Sequence, residues 1–210
     1  MRLVCISDTH GRHDRLELPP GDVLIHAGDF CGVGDADDVA GFALWFHSQP
    51  FAQRIVVAGN HDLLFEHVPE IAEDILRQAC PGVHYLRDSG IEIDGVRFWG
   101  SPWQPRFMNW AFNLERGEPL RQVWAQVPDG IDVLITHGPP HGILDKTRHG
   151  DLVGCEELRA ALPRIKPRVH IFGHIHEGAG QLKAGGVHFV NASSLDATYS
   201  TMHPVMIVEL

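Results

Sequence analysis

The sequence predicts a mixed α/β domain, with two β-sheets and helices outside them. Three observations carry that prediction: five short apolar runs that each end in polar residues, stretches of helical period between runs, and two hairpin signatures further along. Residues 2–6 lead into Ser7-Asp8-Thr9-His10, residues 22–27 into Gly28-Asp29, and residues 54–58 into Gly59-Asn60-His61-Asp62. Residues 132–136 lead into His137-Gly138-Pro139-Pro140, and residues 168–172 into Gly173-His174-Ile175-His176. Nearly continuous apolar, β-branched runs of this length read as strands buried on both faces.

The helices follow from spacing. Residues 35–48 open on Asp residues suited to a first turn and repeat Val39, Phe42, Ala43 and Phe46 at helical period. Residues 69–80 start with Pro69, place Ile71, Ile75, Leu76 and Ala79 on one side, and stop at Pro81-Gly82. Residues 120–127 are a further helix, as are residues 154–165 with Leu158, Ala161 and Leu162. Residues 91–99 alternate around Asp94-Gly95 and predict a hairpin. Residues 182–190, around Gly185-Gly186, predict a second, and residues 204–210 a closing strand. Residues 100–117, with Trp103, Phe107, Trp110 and Phe112 among prolines, read as a long irregular loop, with two alternatives: a lid over a site or a plug in one end of the core. No repeat or low-complexity linker divides residues 1–210, so one domain is expected.

Bulk properties narrow the functions. Hydrophobic residues make up 44% and charged residues 21% of the 210, as in an ordinary soluble protein. A net charge of -10, without a basic stripe, argues against long nucleic acids as partners. Residues 2–6 are too short for a signal peptide, and no apolar run approaches transmembrane length. The four cysteines, Cys5, Cys31, Cys80 and Cys155, form no CxxC pair and read as reduced core thiols, so the cytoplasm is the expected compartment. A monomer or homodimer is expected.

The unusual number is fifteen histidines. Asp8 and His10, two apart where a strand runs out, can point the same way, and His174 and His176 repeat the arrangement. Each pair alone is weak. Five strand ends each delivering Asp, His or Asn is a different matter, because ligands bind at the carboxyl ends of strands in open α/β sheets. Imidazole nitrogens with a few carboxylate oxygens suit Mn, Fe or Zn. Thiolates are absent, and Asp8, His10, Asp29, Asn60, His137, His174 and His176 are too many ligands for one ion. Two divalent cations are expected, Mn2+ first, with Fe, Zn or Mg as the other choices. His26 and His170, inside apolar runs, read as hydrogen-bonded core residues; His141 is a weaker candidate for the pocket wall.

The series Asp8-x-His10, Gly28-Asp29, Gly59-Asn60-His61-Asp62, His137 and Gly173-His174-x-His176 resembles the calcineurin-like metallophosphoesterase superfamily. Ser101-Pro102-Trp103, Trp110-Ala111-Phe112-Asn113, Gly154-Cys155-Glu156-Glu157-Leu158 and Asn191-Ala192-Ser193 extend the resemblance to its metallophosphoesterase-domain-containing branch, known from animal brain and from bacteria. The resemblance implies a four-layer α/β/β/α sandwich. It also implies one cation on Asp8, His10, Asp29 and His176, and a second on Asp29, Asn60, His137 and His174, with Asp29 bridging. His61 would meet the phosphate and protonate the leaving oxygen, and Asn60, His137 and His174 would contact substrate as well.

The implied reaction is hydrolysis of a small phosphodiester, a cyclic nucleotide among the candidates, or of a phosphomonoester, by a water activated between the cations. Two divalent ions outweigh the two carboxylates, so an anionic phosphoester is welcome despite the acidic chain. In one place the sequence departs from the superfamily pattern. Gly32 stands where an Asp often orients the catalytic histidine, and the following Arg of protein Ser/Thr phosphatases is missing. Protein phosphatase activity is therefore not expected, and Asp62, Asp35 or a water is left to orient His61, with Asp62 taken as a second catalytic residue. A nucleotide-binding regulator or scaffold with little turnover is the alternative, which the presence of His174 and His61 argues against. A nuclease, or a hydrolase using Cys31, ranks lower.

Overall fold

The computed structural model describes residues 1–210. Its first sheet runs β1 (Arg2–Ile6), β2 (Val23–His26), β3 (Gln53–Val56) and β4 (His84–Tyr85) in parallel, with the final strand β13 (Met206–Glu209) antiparallel on the β1 edge. The second sheet is built on β6 (Val96–Ser101), β9 (Val133–Thr136), β10 (Val169–Phe172) and β12 (Val187–Asn191), all parallel. Two hairpin partners, β5 (Ser89–Ile93) and β11 (Gly180–Ala184), close its edges in antiparallel fashion. Both hairpins are those expected around Asp94-Gly95 and Gly185-Gly186.

Period-two alternation assigns each strand residue to a layer. On the first sheet Leu3, Cys5, Val23, Ile25 and Ile55 face inward, where they meet Phe98, Val133, Ile135, Val169, Ile171 and Val190 of the second sheet. The other face, with Val4, Ile6, Leu24 and Val56, packs on α1 (Ala36–Ser48) through Val39, Phe42, Ala43 and Phe46. The outer face of the second sheet, with Leu134, Phe172 and Phe189, packs on α4 (Glu118–Ala125) and α5 (Glu156–Ile165). The layers are helix, sheet, sheet, helix, as expected.

Asp35 caps α1 by accepting from the Asp38 amide, which explains why the Asp-rich start initiates a helix there. On α3 (Pro69–Ala79) three of the four expected apolar residues pack on the core, Leu76 fully and Ile75 and Ala79 in part, and Ala72 joins them, whereas Ile71 is 52% exposed. Ile71, in the first turn, lies at the solvent edge of that face, and Ala72 fills the core position beside it. A short helix α2 (Leu63–His67) and the strand β4 were not expected; neither is long enough to show a period. The 100–117 segment is not wholly irregular either, since β7 (Gln104–Pro105) pairs with β8 (Asn113–Leu114).

The parallel strands of each sheet run the same way, so their carboxyl ends form one edge. The two sheets are joined at that edge by a parallel bridge between Ser7 and Ser193, and the Ser194 amide donates to the Ser7 carbonyl at 2.8 Å. No helix is long and apolar enough to cross a membrane. A cavity of about 770 Å³ lies among Met1, Asp22, Arg168 and Leu210, at the opposite end of the strands.

Candidate metal centre

The strands end in abrupt turns that carry the expected ligands. Asp8, His10, Asp29 and His174 have φ of 52°, 44°, 56° and 69°, a left-handed conformation that is unfavourable for side chains bearing a Cβ. The surroundings hold them there. The Asp8 carboxylate accepts from the His174 amide at 2.9 and 3.0 Å, and Asp29 Oδ1 accepts from the His61 amide at 2.7 Å. Two glycines make this closeness possible: a Cβ on Gly173 would overlap the Asp8 carboxylate, and one on Gly59 would overlap Asp29. The Gly that precedes Asn60 or His174 in sequence is thus where another strand's carboxylate presses in.

The residues converge as two groups that could each hold a cation. In one, Asp8, His10 and His176 offer ligand atoms within 4.8 Å of one another; in the other, Asp29, His137 and His174 do the same. Asp29 also groups with His10 and His61, so its carboxylate faces both sides. Distances run from 3.5 Å for His176 Nε2 to Asp8 Oδ1 and for His137 Nε2 to Asp29 Oδ1, to 3.8 Å for His10 Nε2 to Asp29 Oδ2. Asn60 Oδ1 stands 2.9 Å from His137 Nε2.

Backbone carbonyls fix which ring nitrogens face inward. His137 Nδ1 lies 3.0 Å from the Ala27 oxygen, and His176 Nδ1 3.1 Å from the Asp196 oxygen. A carbonyl can only accept, so each Nδ1 carries its hydrogen and each Nε2 is turned toward the carboxylates, as in metal-binding histidines. The Nε2 atoms of His10 and His176 face each other at 3.4 Å. Such converging lone pairs need protons or a cation between them. The donor set of imidazole nitrogens, two carboxylates and an amide oxygen fits divalent transition metals.

Electrostatics agree with that need. Burial would depress His137 and His176, but Asp29 beside the first and Asp8 beside the second outweigh it and lift both to about 9. Burial likewise works against ionisation of Asp8 and Asp29, yet His176 and His137 respectively pull both carboxyls below the usual range. Burial holds His10 at about 4 and His174 at about 3, so these two imidazoles are neutral and available as ligands at neutral pH.

Asp62 has a different place from the one expected. Its buried carboxylate accepts from the backbone amides of Asp29 (2.9 Å), Cys31 (2.9 Å) and Gly59 (2.7 Å), tying the Asp29 turn to the Gly59-Asn60 turn. Burial, with Asp29 nearby, raises its pKa to about 7. It therefore serves as a staple beneath the site, and His61 is oriented by something else. His61 Nδ1 lies 2.9 Å from the carbonyl oxygen of Gly32, the residue whose missing side chain raised the question. Asp38 fixes that turn by accepting from the amides of Gly32, Val33 and Gly34 at 2.9–3.1 Å. The opposite ring nitrogen of His61 is left for the site, and Trp110 stacks on the imidazole at 4.0 Å and 23°.

The aromatic segment divides between the two alternatives. Phe112 is buried in the first helical layer and Trp103 packs edge-on to it while donating to Asp88 at 2.7 Å, which is core plugging. Trp110 and Phe107 instead wall the site, Phe107 being 47% exposed and 5.7 Å from the His174 ring. Sequence reasoning missed Ser193, whose hydroxyl donates to Asp8 Oδ2 at 2.9 Å, and Tyr199, whose ring lies 4.8 Å from His10 and 5.1 Å from His176. Neither follows a strong strand-end pattern; Asn191-Ala192-Ser193 at the end of β12 was the available signal. His141 packs against Asp145, 3.8 Å away, and joins neither ligand group. Cys31 is fully buried and its thiol is pushed up by burial and Asp62, which rules it out as a nucleophile.

Comparison with known proteins identifies the family. The calcineurin-like phosphoesterase family model matches residues 1–178. The chain is 42% identical over 232 aligned residues to metallophosphoesterase domain-containing protein 1 of Homo sapiens, covering 100% of this chain and 71% of that protein. It is 41% identical over 206 residues to a UPF0046 protein of Caenorhabditis elegans, covering 92% of this chain and 69% of the relative. The solved structure of TT1561 from Thermus thermophilus superposes with a TM-score of 0.64 at 13% identity, over 90% of this chain and 88% of its own, a likeness of fold. With its two ligand groups at the joined sheet edge and its sequence matched along most of its length, the chain belongs to the calcineurin-like phosphoesterase family.

Proposed function

We propose that the chain is a dinuclear metal-dependent phosphoesterase acting on a small phosphodiester. The observation that carries this reading is the double membership of Asp29, which groups with His137 and His174 on one side and with His10 on the other. Asp8, His10, Asp29 and His176 would hold one divalent cation, and Asp29, Asn60, His137 and His174 the second, with Mn2+ as the first choice on donor chemistry. When bound, such a pair supplies Lewis-acid polarisation of phosphate and lowers the pKa of water.

The chain's own residues do the rest. His61 keeps Nδ1–H on the Gly32 carbonyl, so the proton it can deliver to a leaving oxygen is on Nε2. A general acid placed this way contributes about 10²–10⁴-fold. Trp110 on the face of the ring restricts its tilt and shields it from water. Asp62 holds the two turns that carry Asp29 and Asn60 in register. The buried, unpaired cysteines support a reducing compartment, the cytoplasm.

The test is hydrolysis of bis(p-nitrophenyl) phosphate by the purified chain. Turnover is expected only with added Mn2+ or a similar cation, with a fall of roughly 10³-fold or more in Asp29→Asn. Absence of metal-dependent turnover on any phosphodiester or phosphomonoester, with nucleotides binding nonetheless, would leave a nucleotide-binding regulator in its place.

A further inference from the structure

A cavity of about 540 Å³ adjoins the metal centre and shares His174 as a wall. Its lining includes three guanidinium groups, Arg106, Arg116 and Arg148, against the single carboxylate of Glu177. Arg106 is paired with Glu115. Arg116 is held by the carbonyls of Gly154 and Val153, both at 2.8 Å, and forms no ion pair, with Glu157 near enough to feel its charge. The Arg148 guanidinium bonds only through Nε to the neighbouring His149 ring, at 3.1 Å, while its backbone amide donates to Glu177 at 3.1 Å, so its terminal nitrogens have no hydrogen-bond partner. In a chain of net charge -10, two guanidinium groups that form no ion pair, beside the proposed phosphoester site, are a local concentration of positive charge. Phe107, exposed at the rim, adds an apolar ring to this wall.

We propose that this cavity binds a second phosphate, one carried by the part of the substrate that does not react. The proposal rests on the phosphoesterase reading for the identity of the first phosphate. Guanidinium groups bind phosphate oxygens in pairs of charge-assisted hydrogen bonds, and Arg116 is already oriented by its carbonyl partners. A substrate with its scissile phosphate at Asp29, His137 and His174 would extend past His174 toward Arg116 and Arg148. The favoured class is a phosphodiester of a nucleoside or similar alcohol with a further phosphate, in preference to one with a neutral arm.

Calorimetric titration of the full chain with thymidine 5′-monophosphate and thymidine 3′,5′-bisphosphate, in Mn2+ at one ionic strength, tests it. The bisphosphate is expected to bind roughly 10-fold tighter, beyond the two-fold factor that two equivalent phosphates would give. Arg148→Ala, at an exposed position, should bring the ratio down to about two, and Arg148→Lys should restore part of it. Equal affinities in the parent chain, or a ratio indifferent to both Arg148→Ala and Arg116→Lys, overturn the proposal. In parallel, p-nitrophenyl esters of thymidine 5′-phosphate with and without a 3′-phosphate should differ by a similar factor in kcat/KM. A preserved binding ratio without any turnover sinks the hydrolase reading and keeps the phosphate subsite; turnover with a ratio near one does the opposite.

Discussion

The two sheets bring different chemistry to their shared edge. The first supplies both carboxylates, Asp8 and Asp29, together with Asn60 and His10; the second supplies only imidazoles, His137, His174 and His176. Yet the supports behind them match. Each sheet buries one histidine in a strand, His26 in β2 and His170 in β10, and each contacts a threonine hydroxyl at 2.9 Å through Nε2, Thr9 in one case and Thr136 in the other. The difference teaches where the site's cohesion comes from. Neither sheet alone balances its charges: Asp8 and Asp29 sit opposite His176 and His137 of the other sheet. Separating the sheets would leave two buried carboxylates without their partners, and such groups are costly to leave unpaired.

The strongest way to break this comparison is at Asp62, the staple of the first sheet's turns. Asp62→Ala leaves the amides of Asp29, Cys31 and Gly59 without their acceptor, and a loss of about 3 kcal/mol or more in unfolding free energy is expected. Urea unfolding checks it; a variant of parental stability that is nonetheless inactive would return Asp62 to a direct catalytic role. A smaller effect is expected at Ser193, which reaches from the second sheet to Asp8 of the first. Ser193→Ala should keep the fold and weaken metal affinity about 10–100-fold, the usual consequence of losing a hydrogen bond to a ligand. Competition against a metal-sensitive dye measures it, and unchanged affinity would mean that the His174 amide alone orients Asp8.

The paired core histidines sharpen the comparison through pH. Burial holds both His26 and His170 at about 3, against an ordinary value of 6.5, and the Nδ1 of each is buried without a partner. As pH falls from 6.5 toward 3, the unfolded chain takes up protons that the folded one refuses. The share of stability that these two histidines supply is therefore complete above pH 6.5 and declines through that window, by about 1.4 kcal/mol per histidine per pH unit. His170→Leu should flatten the fall in urea midpoint between pH 7 and 5.5 by one histidine's share. An identical slope in the variant would show that His170 titrates normally and that the two halves are not equivalent.

Much of this was legible in the sequence because its cause is local. Continuous apolar runs in the strands, Asp residues at the start of a helix and Asp94-Gly95 between strands each act within a few residues, and each placed its element. The strand-end residues Asp8, His10, Asp29, His137, His174 and His176 were legible for a related reason: parallel strands necessarily bring their carboxyl ends to one edge. What only the tertiary structure decided are contacts between segments far apart in the chain. Which first-turn residue of α3 enters the core, Ala72 and not Ile71, was set by its packing, and α2 was too short to announce itself. His61 is oriented by a backbone carbonyl at Gly32, and no pattern of side chains encodes which carbonyl a ring will meet. Ser193 reached Asp8, and Trp110 reached His61, because two sheets packed face to face and a loop folded over their edge. Residue type and period determined which groups the chain could offer; long-range packing, through the geometry of sheet against sheet, decided which of them meet.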